Sequence, residues 1–383
     1  MSVTQPKGFE ASGVPAGLKS TGARDIALVV NRGPKQAAAA VFTSNRAKAN
    51  PVIWSEQAIA DGVVSAVVLN SGGANCYTGS RGFQVTHSTA ERVASLLGGS
   101  AGDVLVCSTG LIGEQLDLEK VTAGVDAAHA ALSAAGGDDA ANAIITTDTH
   151  AKQGVVHRDG WSLGGMAKGA GMLAPGLATM LVVITTDADL DSAALDRALR
   201  ASTRVTFDRL DSDGCMSTND TVALLASGAS GVVPDEEEFT AALRELCLDL
   251  AAQLQRDAEG ASHDITIEVI GAATEDQAVE VGRSVARNNL FKAAVFGGDP
   301  NWGRVLAAVG TTSAEFDPYD VDVSMNGVRV AHRGEPDQPR ELVDLAPRPV
   351  HVLIGLNAGE AAATIWTNDL THDYVHENSA YSS

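Results

Sequence analysis

Short apolar runs recur along the whole chain and predict many β-strands. Clear examples are residues 26–30, 66–69, 104–107, 180–184 and 350–354. Apolar runs of this length, bounded by polar or turn-forming residues, are typical of buried strands. The chain therefore contains strands from its beginning to its end rather than in one separate β-domain.

Helical patterns lie between some of these runs. Residues 84–97 and 236–257 have apolar positions at helical spacing, and the second segment is acidic in its first turn. Residues 191–203 predict a further helix with Asp191 as its N-cap. Because strands and helices alternate irregularly, the pattern favours a mixed α+β fold over a doubly wound sheet. We interpret residues 332–339 as a loop that joins two late strands.

Composition and charge exclude several classes of protein. The chain has 383 residues, of which 45% are hydrophobic, and a formal net charge of -21. That charge repels nucleic acid and anionic membranes, so we expect neither as a partner. The amino-terminal sequence MSVTQPKGFEASG has no apolar core of a signal peptide. No apolar run approaches the ~20 residues of a membrane helix, so we expect a cytoplasmic protein.

The cysteine pattern gives no sign of a metal centre. Cys76, Cys107, Cys215 and Cys247 form no C-x-x-C pair, so neither a zinc cluster nor a disulfide framework is expected. Cys215 could be a nucleophile only with a base or a cationic neighbour, and no histidine motif accompanies it. We expect no metal and no cofactor.

The segment most indicative of chemistry is 164–187, GGMAKGAGMLAPGLATMLVVITTD. Its first half is rich in glycine, which permits unusual backbone dihedral angles and close approach to a ligand. Thr179 stands where this half meets the apolar run 180–184. Composition alone favours a Gly-rich turn that enters an ordinary strand, with Thr179 as a β-branched strand residue.

A second interpretation gives Thr179 a chemical role. Its hydroxyl could attack the carbonyl carbon of Ala178, displace the amide and form an ester that water hydrolyses. The new chain would begin at Thr179, with an α-amine whose pKa is ordinarily about 7.7–8.0. That amine could serve as general base for the threonine hydroxyl, so that one residue supplies nucleophile and base.

A family resemblance favours the second interpretation. The segment resembles the autocleavage segment of the ornithine acetyltransferase (glutamate N-acetyltransferase) family, K-G-x-G-M followed by P-x-x-A-T-M-L. The matching residues are Lys168, Gly169, Gly171, Met172, Pro175, Ala178, Thr179, Met180 and Leu181. Further segments resemble the family in the same order: NSGGANCYTG, STGLIGE, TTDTHAK, STNDTV, DAEGAS, GGDPNWGR and the carboxyl-terminal DLTHDYVHENSAYSS. The resemblance therefore extends over essentially the whole chain.

The resemblance implies a fold of layered sheets with helices outside, similar to that of N-terminal-nucleophile enzymes. It also implies cleavage into chains 1–178 and 179–383, intertwined in one folded unit and dimerised to a heterotetramer. Thr109 and Gly110 match the pair that stabilises the oxyanion, a role that suits fixed donors on a turn. The resemblance assigns the following residues to substrate binding, with Thr146 chosen over its neighbour Thr147: Thr146, Lys168, Thr179, Glu259, Asn378 and Ser383.

The resemblance thus implies acetyl transfer from N2-acetylornithine to glutamate through an acetyl-Thr179 intermediate, without a cofactor. An N-terminal-threonine amidohydrolase or aminopeptidase, which passes the acyl group to water, is the alternative. A non-enzymatic amino-acid-binding protein would remain one intact chain. The sequence shows neither a Gly-rich phosphate loop nor a cluster of arginines and lysines. We therefore expect little use of acetyl-coenzyme A as donor.

Overall fold

The computed structural model describes residues 2–174 and 180–380. In these ranges the β-strands are β1 (Phe9–Val14), β2 (Ile26–Asn31), β3 (Ala37–Phe42), β4 (Ala66–Asn70), β5 (Val104–Ser108), β6 (Lys152–Arg158), β7 (Trp161–Lys168), β8 (Leu181–Thr186), β9 (Thr221–Ala226), β10 (Asp264–Ala272), β11 (Asp322–Met325), β12 (Val328–His332), β13 (Glu335–Pro336), β14 (Pro349–Gly355) and β15 (Ala361–Asn368). The α-helices are α1 (Asn50–Ala58), α2 (Gly79–Leu97), α3 (Leu118–Ala130), α4 (Gly137–Ala143), α5 (Ser192–Thr203), α6 (Glu236–Arg256), α7 (Glu275–Ala286), α8 (Asn289–Phe296), α9 (Trp302–Val309) and α10 (His372–Ala380). Short 3₁₀ turns lie at Ile59–Asp61, Ala101–Asp103, Phe207–Arg209 and Arg340–Leu342.

Two sheets pack face to face and form the centre of the molecule. The first sheet has the strand order β1-β2-β4-β5, and the second has the order β3-β9-β8-β7-β6. One apolar cluster joins them, with Val29 and Leu69 from the first sheet and Val183 and Leu225 from the second. Successive side chains of a strand point to opposite faces, so the remaining apolar residues of these strands need a second cover.

Helices supply that cover on both outer faces. Ile26 and Leu28 of β2 pack with residues of α2 and α3. Val182 and Ile184 of β8 pack with residues of α5 and α6. The result is a helix–sheet–sheet–helix sandwich, which explains why the central strands are apolar runs rather than alternating patterns.

A third sheet forms the rest of the molecule. Its strand order is β13-β12-β11-β14-β10-β15, and α7, α8 and α9 contribute to its core. The Asp211 N–H donates to the Trp366 carbonyl at 2.8 Å and ties this sheet to the sandwich. The fold is therefore mixed α and β with layered sheets. No helix in the described part of the chain is long and apolar enough to cross a membrane.

Most of the predicted elements are present, with shifted ends. The five apolar runs lie in β2, β4, β5, β8 and β14. The helices predicted at 191–203 and 236–257 are α5 and α6, and the Asp191 side chain caps α5 by accepting the Ala194 N–H. The helix predicted at 84–97 starts earlier, at Gly79. The prediction of a loop at 332–339 is wrong in part, because Glu335–Pro336 forms β13 and pairs with β12.

Candidate active site

The turn after β5 presents backbone donors to a small cavity. Thr109 is fixed on both sides: its N–H donates to the Asn70 carbonyl at 2.9 Å, and its own carbonyl accepts the Gly73 N–H at 3.0 Å. Gly110 has a φ of 125°, and a Cβ there would lie 2.8 Å from the Gly73 nitrogen. Only glycine fits this position. Among the described residues, the Gly110 N–H has no hydrogen-bond acceptor.

Lys168 places a buried ammonium group beside this turn. It is the last residue of β7, lies opposite Leu181 of β8 and is only 2% exposed. Its Nζ donates to the Thr146 hydroxyl at 2.8 Å and to the Thr109 hydroxyl at 3.1 Å. Because the Thr109 hydroxyl oxygen accepts a hydrogen bond from Lys168, the Thr109 O–H can donate to a different acceptor. Burial lowers the pKa of Lys168, and the nearby Asp148 carboxylate opposes that shift.

A buried network of charged side chains interacts electrostatically with Lys168. Lys152, the first residue of β6, has no exposed surface, and its Nζ donates to Asp148 and Asp257 at 2.5 Å each. The same Asp148 oxygen accepts the Gly169 N–H at 2.6 Å. Burial alone would raise the pKa of Asp148, but Lys168 and Lys152 outweigh it and lower this pKa to about 2. The carboxylate is therefore ionised at neutral pH.

Sequence reasoning gave no role to Asp148, Lys152 or Asp257. The available signal was the presence of charged residues inside two segments that resemble the family, TTDTHAK and DAEGAS. Buried charges are retained only when they are paired, but 105 residues separate the two partners Lys152 and Asp257. The pairing could not be read from the sequence.

Glu259 contributes a carboxylate to the same cavity. Its N–H donates to the Ala170 carbonyl at 3.0 Å, and its Oε2 accepts from the Asn378 side chain at 2.9 Å. Gly171 makes this approach possible, because a Cβ at that position would lie 2.6 Å from the carboxylate oxygens. Helix α10, which carries Asn378, is thereby connected to the cavity through a side chain.

One cavity of about 110 Å³ brings the predicted residues together. It is lined by Thr109, Gly110, Thr146, Thr147, Lys168, Gly171, Met172, Glu259 and Asn378. Thr146 and Thr147, the two alternatives for one substrate-binding threonine, thus both line the cavity. The predicted residues Ala178, Thr179 and Ser383 lie outside the described residues.

The described residues indicate neither a metal site nor a cysteine nucleophile. No group of three or more histidine, cysteine, aspartate or glutamate side chains in ranges 2–174 and 180–380 could hold a metal ion. Burial and the charge of Asp213 raise the pKa of the exposed Cys215. Its thiolate is therefore disfavoured, and the thiolate is the reactive form.

Comparison with known proteins gives consistent matches. Residues 10–383 match the ArgJ family. A protein of Streptomyces coelicolor named "Arginine biosynthesis bifunctional protein ArgJ" is 65% identical over 383 residues and covers 100% of both chains. A protein of the same name from Thermobifida fusca is 61% identical over 383 residues, again 100% of both chains. The crystal structure of an ornithine acetyltransferase complexed with ornithine from Mycobacterium tuberculosis is 50% identical, with a TM-score of 0.45; the match covers 47% of this chain and 96% of that chain.

Proposed function

This chain belongs to the ArgJ family, and we propose that it transfers the acetyl group of N2-acetylornithine to glutamate. It is an acetyltransferase of arginine biosynthesis. The observation that carries the substrate assignment is the pair of opposite charges in one cavity: the Lys168 ammonium and the Glu259 carboxylate, which line it together with Thr109 and Gly110. Both substrates are amino-acid derivatives with an α-carboxylate, for which a buried ammonium group is a suitable partner.

The first half-reaction follows from these groups. The Thr179 hydroxyl oxygen bonds to the acetyl carbonyl carbon while the Thr179 α-amine takes the hydroxyl proton. The Gly110 N–H and the Thr109 hydroxyl, both at the cavity, are suitable donors to the resulting oxyanion. The C–N bond then breaks, the amine returns its proton to the leaving nitrogen, and ornithine departs.

The second half-reaction is the first in reverse with glutamate in place of ornithine. The glutamate α-amine attacks the acetyl-Thr179 ester, loses a proton to the Thr179 amine and leaves as N-acetylglutamate. One amide replaces another, so no external energy source is required. Since the acetyl group rests on Thr179 between the two substrates, the kinetics are ping-pong.

Formation of the α-amine requires cleavage between Ala178 and Thr179, giving chains 1–178 and 179–383. Pairing in the second sheet supports continued association of the two chains. Strand β8 of the second chain pairs with β7 of the first over six residues, and β9 pairs with β3 over six. Residues of both chains also share the apolar cluster between the sheets. An α/β heterodimer that dimerises to a heterotetramer is part of this proposal.

Intact-mass spectrometry tests the proposal. The purified protein should give two masses, and the chain that begins at Thr179 should gain one acetyl group on mixing with N-acetylornithine alone. Adding glutamate should remove that group and produce N-acetylglutamate. Thr179→Ala should remain a single chain without acetylation.

Two other outcomes would contradict the proposal. A single full-length mass for the active wild-type protein would exclude cleavage as the source of the nucleophile. Rapid release of acetate in the absence of glutamate would favour the amidohydrolase, because a transferase must exclude water from the acetyl-enzyme.

A further inference from the structure

The turn that leads into β9 holds the start of β8. The two strands are parallel neighbours, and Leu181 pairs with Thr221. One residue earlier on each strand, Asp220 Oδ1 accepts the Met180 N–H at 3.1 Å. The Thr221 N–H donates to the Met180 carbonyl at 3.2 Å. Both backbone hydrogen-bonding groups of Met180, the residue covalently attached to Thr179, are therefore fixed from this turn.

The preceding residue of the same turn holds the oxyanion turn. The Asn219 side-chain amide donates to the Ser108 carbonyl at 2.8 Å and to the Ala74 carbonyl at 2.6 Å. Ser108 directly precedes Thr109, and Ala74 directly follows Gly73, whose N–H donates to the Thr109 carbonyl. One side chain thus fixes both segments that shape the Thr109–Gly110 donors.

This turn is itself rigidly held. The Thr43 hydroxyl donates to the Ser217 carbonyl at 2.7 Å, and the Thr43 N–H donates to the Asp220 carbonyl at 3.1 Å. The Ala49 N–H donates to the Thr218 carbonyl at 2.9 Å. Asn219 is 4% exposed and Asp220 is fully buried. Adjacent residues therefore connect the nucleophile strand and the oxyanion turn through buried groups.

We propose that Asn219 and Asp220 are positioning residues that set Thr179 against the Thr109 and Gly110 donors. The inference rests on the proposed function, because it presupposes Thr179 as nucleophile. Acyl transfer needs the attacking oxygen at about 3–3.5 Å from the carbonyl carbon, and a misplacement of about 1 Å costs roughly a hundredfold in rate. The nucleophile precedes β8, whereas the oxyanion donors follow β5. Their relative position therefore depends on a residue or turn that contacts both segments.

The role of Asp220 requires only an oxygen that accepts the Met180 N–H, so it does not depend on an ionised carboxylate. Burial raises its pKa well above the ordinary value, although the Met180 N–H, the Ser217 hydroxyl and the Lys168 ammonium oppose that shift and Asp208 adds to it. A neutral carboxyl accepts the Met180 N–H with one oxygen and carries its proton on the other. Asp220 Oδ2 has no hydrogen-bond partner within the described residues. An asparagine side chain has the same shape, with one accepting oxygen and one donating group.

Three variants separate positioning from proton transfer. Asp220→Ala removes the acceptor of the Met180 N–H, Asn219→Ala removes the two donors, and Asp220→Asn retains an acceptor without a titratable proton. The readouts are the rate of acetyl-Thr179 formation at saturating N-acetylornithine, the concentration for half-saturation, and the pH dependence. Each rate is divided by the amount of chain that begins at Thr179. A variant that is cleaved less completely is therefore not mistaken for one that transfers the acetyl group more slowly.

Both alanine variants should slow acetylation by about tenfold to a hundredfold. Half-saturation should stay within about threefold, because Lys168, Glu259 and Asn378 are unchanged. Asp220→Asn should stay within about threefold of the wild-type rate with the wild-type pH profile. If Asp220→Ala does not fold, Asn219→Ala and Asp220→Asn carry the same test.

The inference is overturned if Asp220→Asn loses as much rate as Asp220→Ala, since the carboxyl would then work through its proton. It is equally overturned if the alanine variants keep the wild-type rate, or lose activity only through weaker substrate binding. A wild-type protein that forms no acetyl-enzyme would refute the proposed function instead.

Discussion

The buried ammonium group of Lys168 donates to the hydroxyls of Thr146 and Thr109, and no carboxylate of the described residues forms a direct ion pair with it. In the proposed function, its charge binds the α-carboxylate of either substrate. Lys168→Ala should lower kcat/KM by at least about tenfold in both half-reactions, since truncating a buried charged partner costs roughly 2–5 kcal/mol. Separate assays of ornithine release and N-acetylglutamate formation measure this. Lys120→Ala, an exposed lysine on α3, is the matched control, and a wild-type rate for Lys168→Ala would exclude it from substrate binding.

Asp148 should make the free energy of unfolding depend on pH in the acidic range. Its pKa in the folded protein is about 2, below the ordinary value of about 3.9. This carboxylate therefore stabilises the fold above pH ~4, and its contribution disappears as the pH falls to about 2. Asp148→Asn should reduce the free energy of unfolding by about 3–5 kcal/mol at neutral pH, because it removes one of the two carboxylates that pair with the buried Lys152 ammonium group.

Urea unfolding of the wild type and Asp148→Asn at a series of pH values checks this expectation. The difference between them should be constant from about pH 7 to about pH 5 and shrink below pH ~4. Asp159→Asn, at an exposed position in the turn after β6, serves as control. A difference that grows on acidification would have the wrong sign.

At the scale of secondary-structure elements, the sequence was sufficient where both faces of a strand are buried. Strands β2, β4, β5 and β8 are apolar on both faces because helices cover one side of each sheet and the other sheet covers the opposite side. The sequence pattern did not predict the first turn of α2, because this turn contains Gly79 and Gly82 and glycine is a weak helix former. Strand β13 was missed because two residues carry no periodicity.

The candidate site was predictable only through the family resemblance. Its residues come from the ends of β5 and β7, the segment before β6, the end of α6 and helix α10. Composition alone left Thr109, Thr146 and Glu259 indistinguishable from ordinary polar residues. What brings them together is strand register, such as Lys168 opposite Leu181, and register depends on contacts between distant parts of the chain.

Helix α10 should affect substrate binding more than stability. No residue of this helix is buried, and its Asn378 side chain donates to Glu259 at 2.9 Å. Asn378→Ala should raise the KM for N-acetylornithine several-fold, because it removes the hydrogen bond that holds the Glu259 carboxylate at the cavity. Asn378→Asp should raise it further because two carboxylates would then meet.

Steady-state kinetics and thermal unfolding together check the role of α10. The thermal midpoint should be nearly unchanged in both variants, and Ser379→Ala on the same helix should leave KM unchanged. If the two Asn378 variants shift the midpoint without changing KM, the helix has a structural role only.

Across the whole molecule, charge should determine the choice of acetyl donor. The chain carries a net charge of -21, and an open cavity of about 610 Å³ adjoins the site through Thr147 and Glu259. Four carboxylates line that cavity: Asp257, Glu259, Asp373 and Glu377. Two arginines, Arg256 and Arg348, also line it, and Arg348 is engaged by Asp264 and the Arg256 carbonyl. Because the carboxylates outnumber the arginines, a ligand with several phosphates would meet net negative charge in this cavity.

We accordingly expect kcat/KM for N-acetylornithine to exceed that for acetyl-coenzyme A by more than about tenfold, a difference of at least ~1.4 kcal/mol in the barrier. Formation of N-acetylglutamate from glutamate and each donor separately measures this.

S-acetylpantetheine, an uncharged thioester, is the control, and it should be a better donor than acetyl-coenzyme A if repulsion is the cause. Added salt should narrow that gap, because the screening length falls from about 10 Å at 0.1 M to about 3 Å at 1 M. Turnover of acetyl-coenzyme A within about tenfold of N-acetylornithine would contradict the prediction, and equal use of both thioesters at low salt would show that charge does not select the donor.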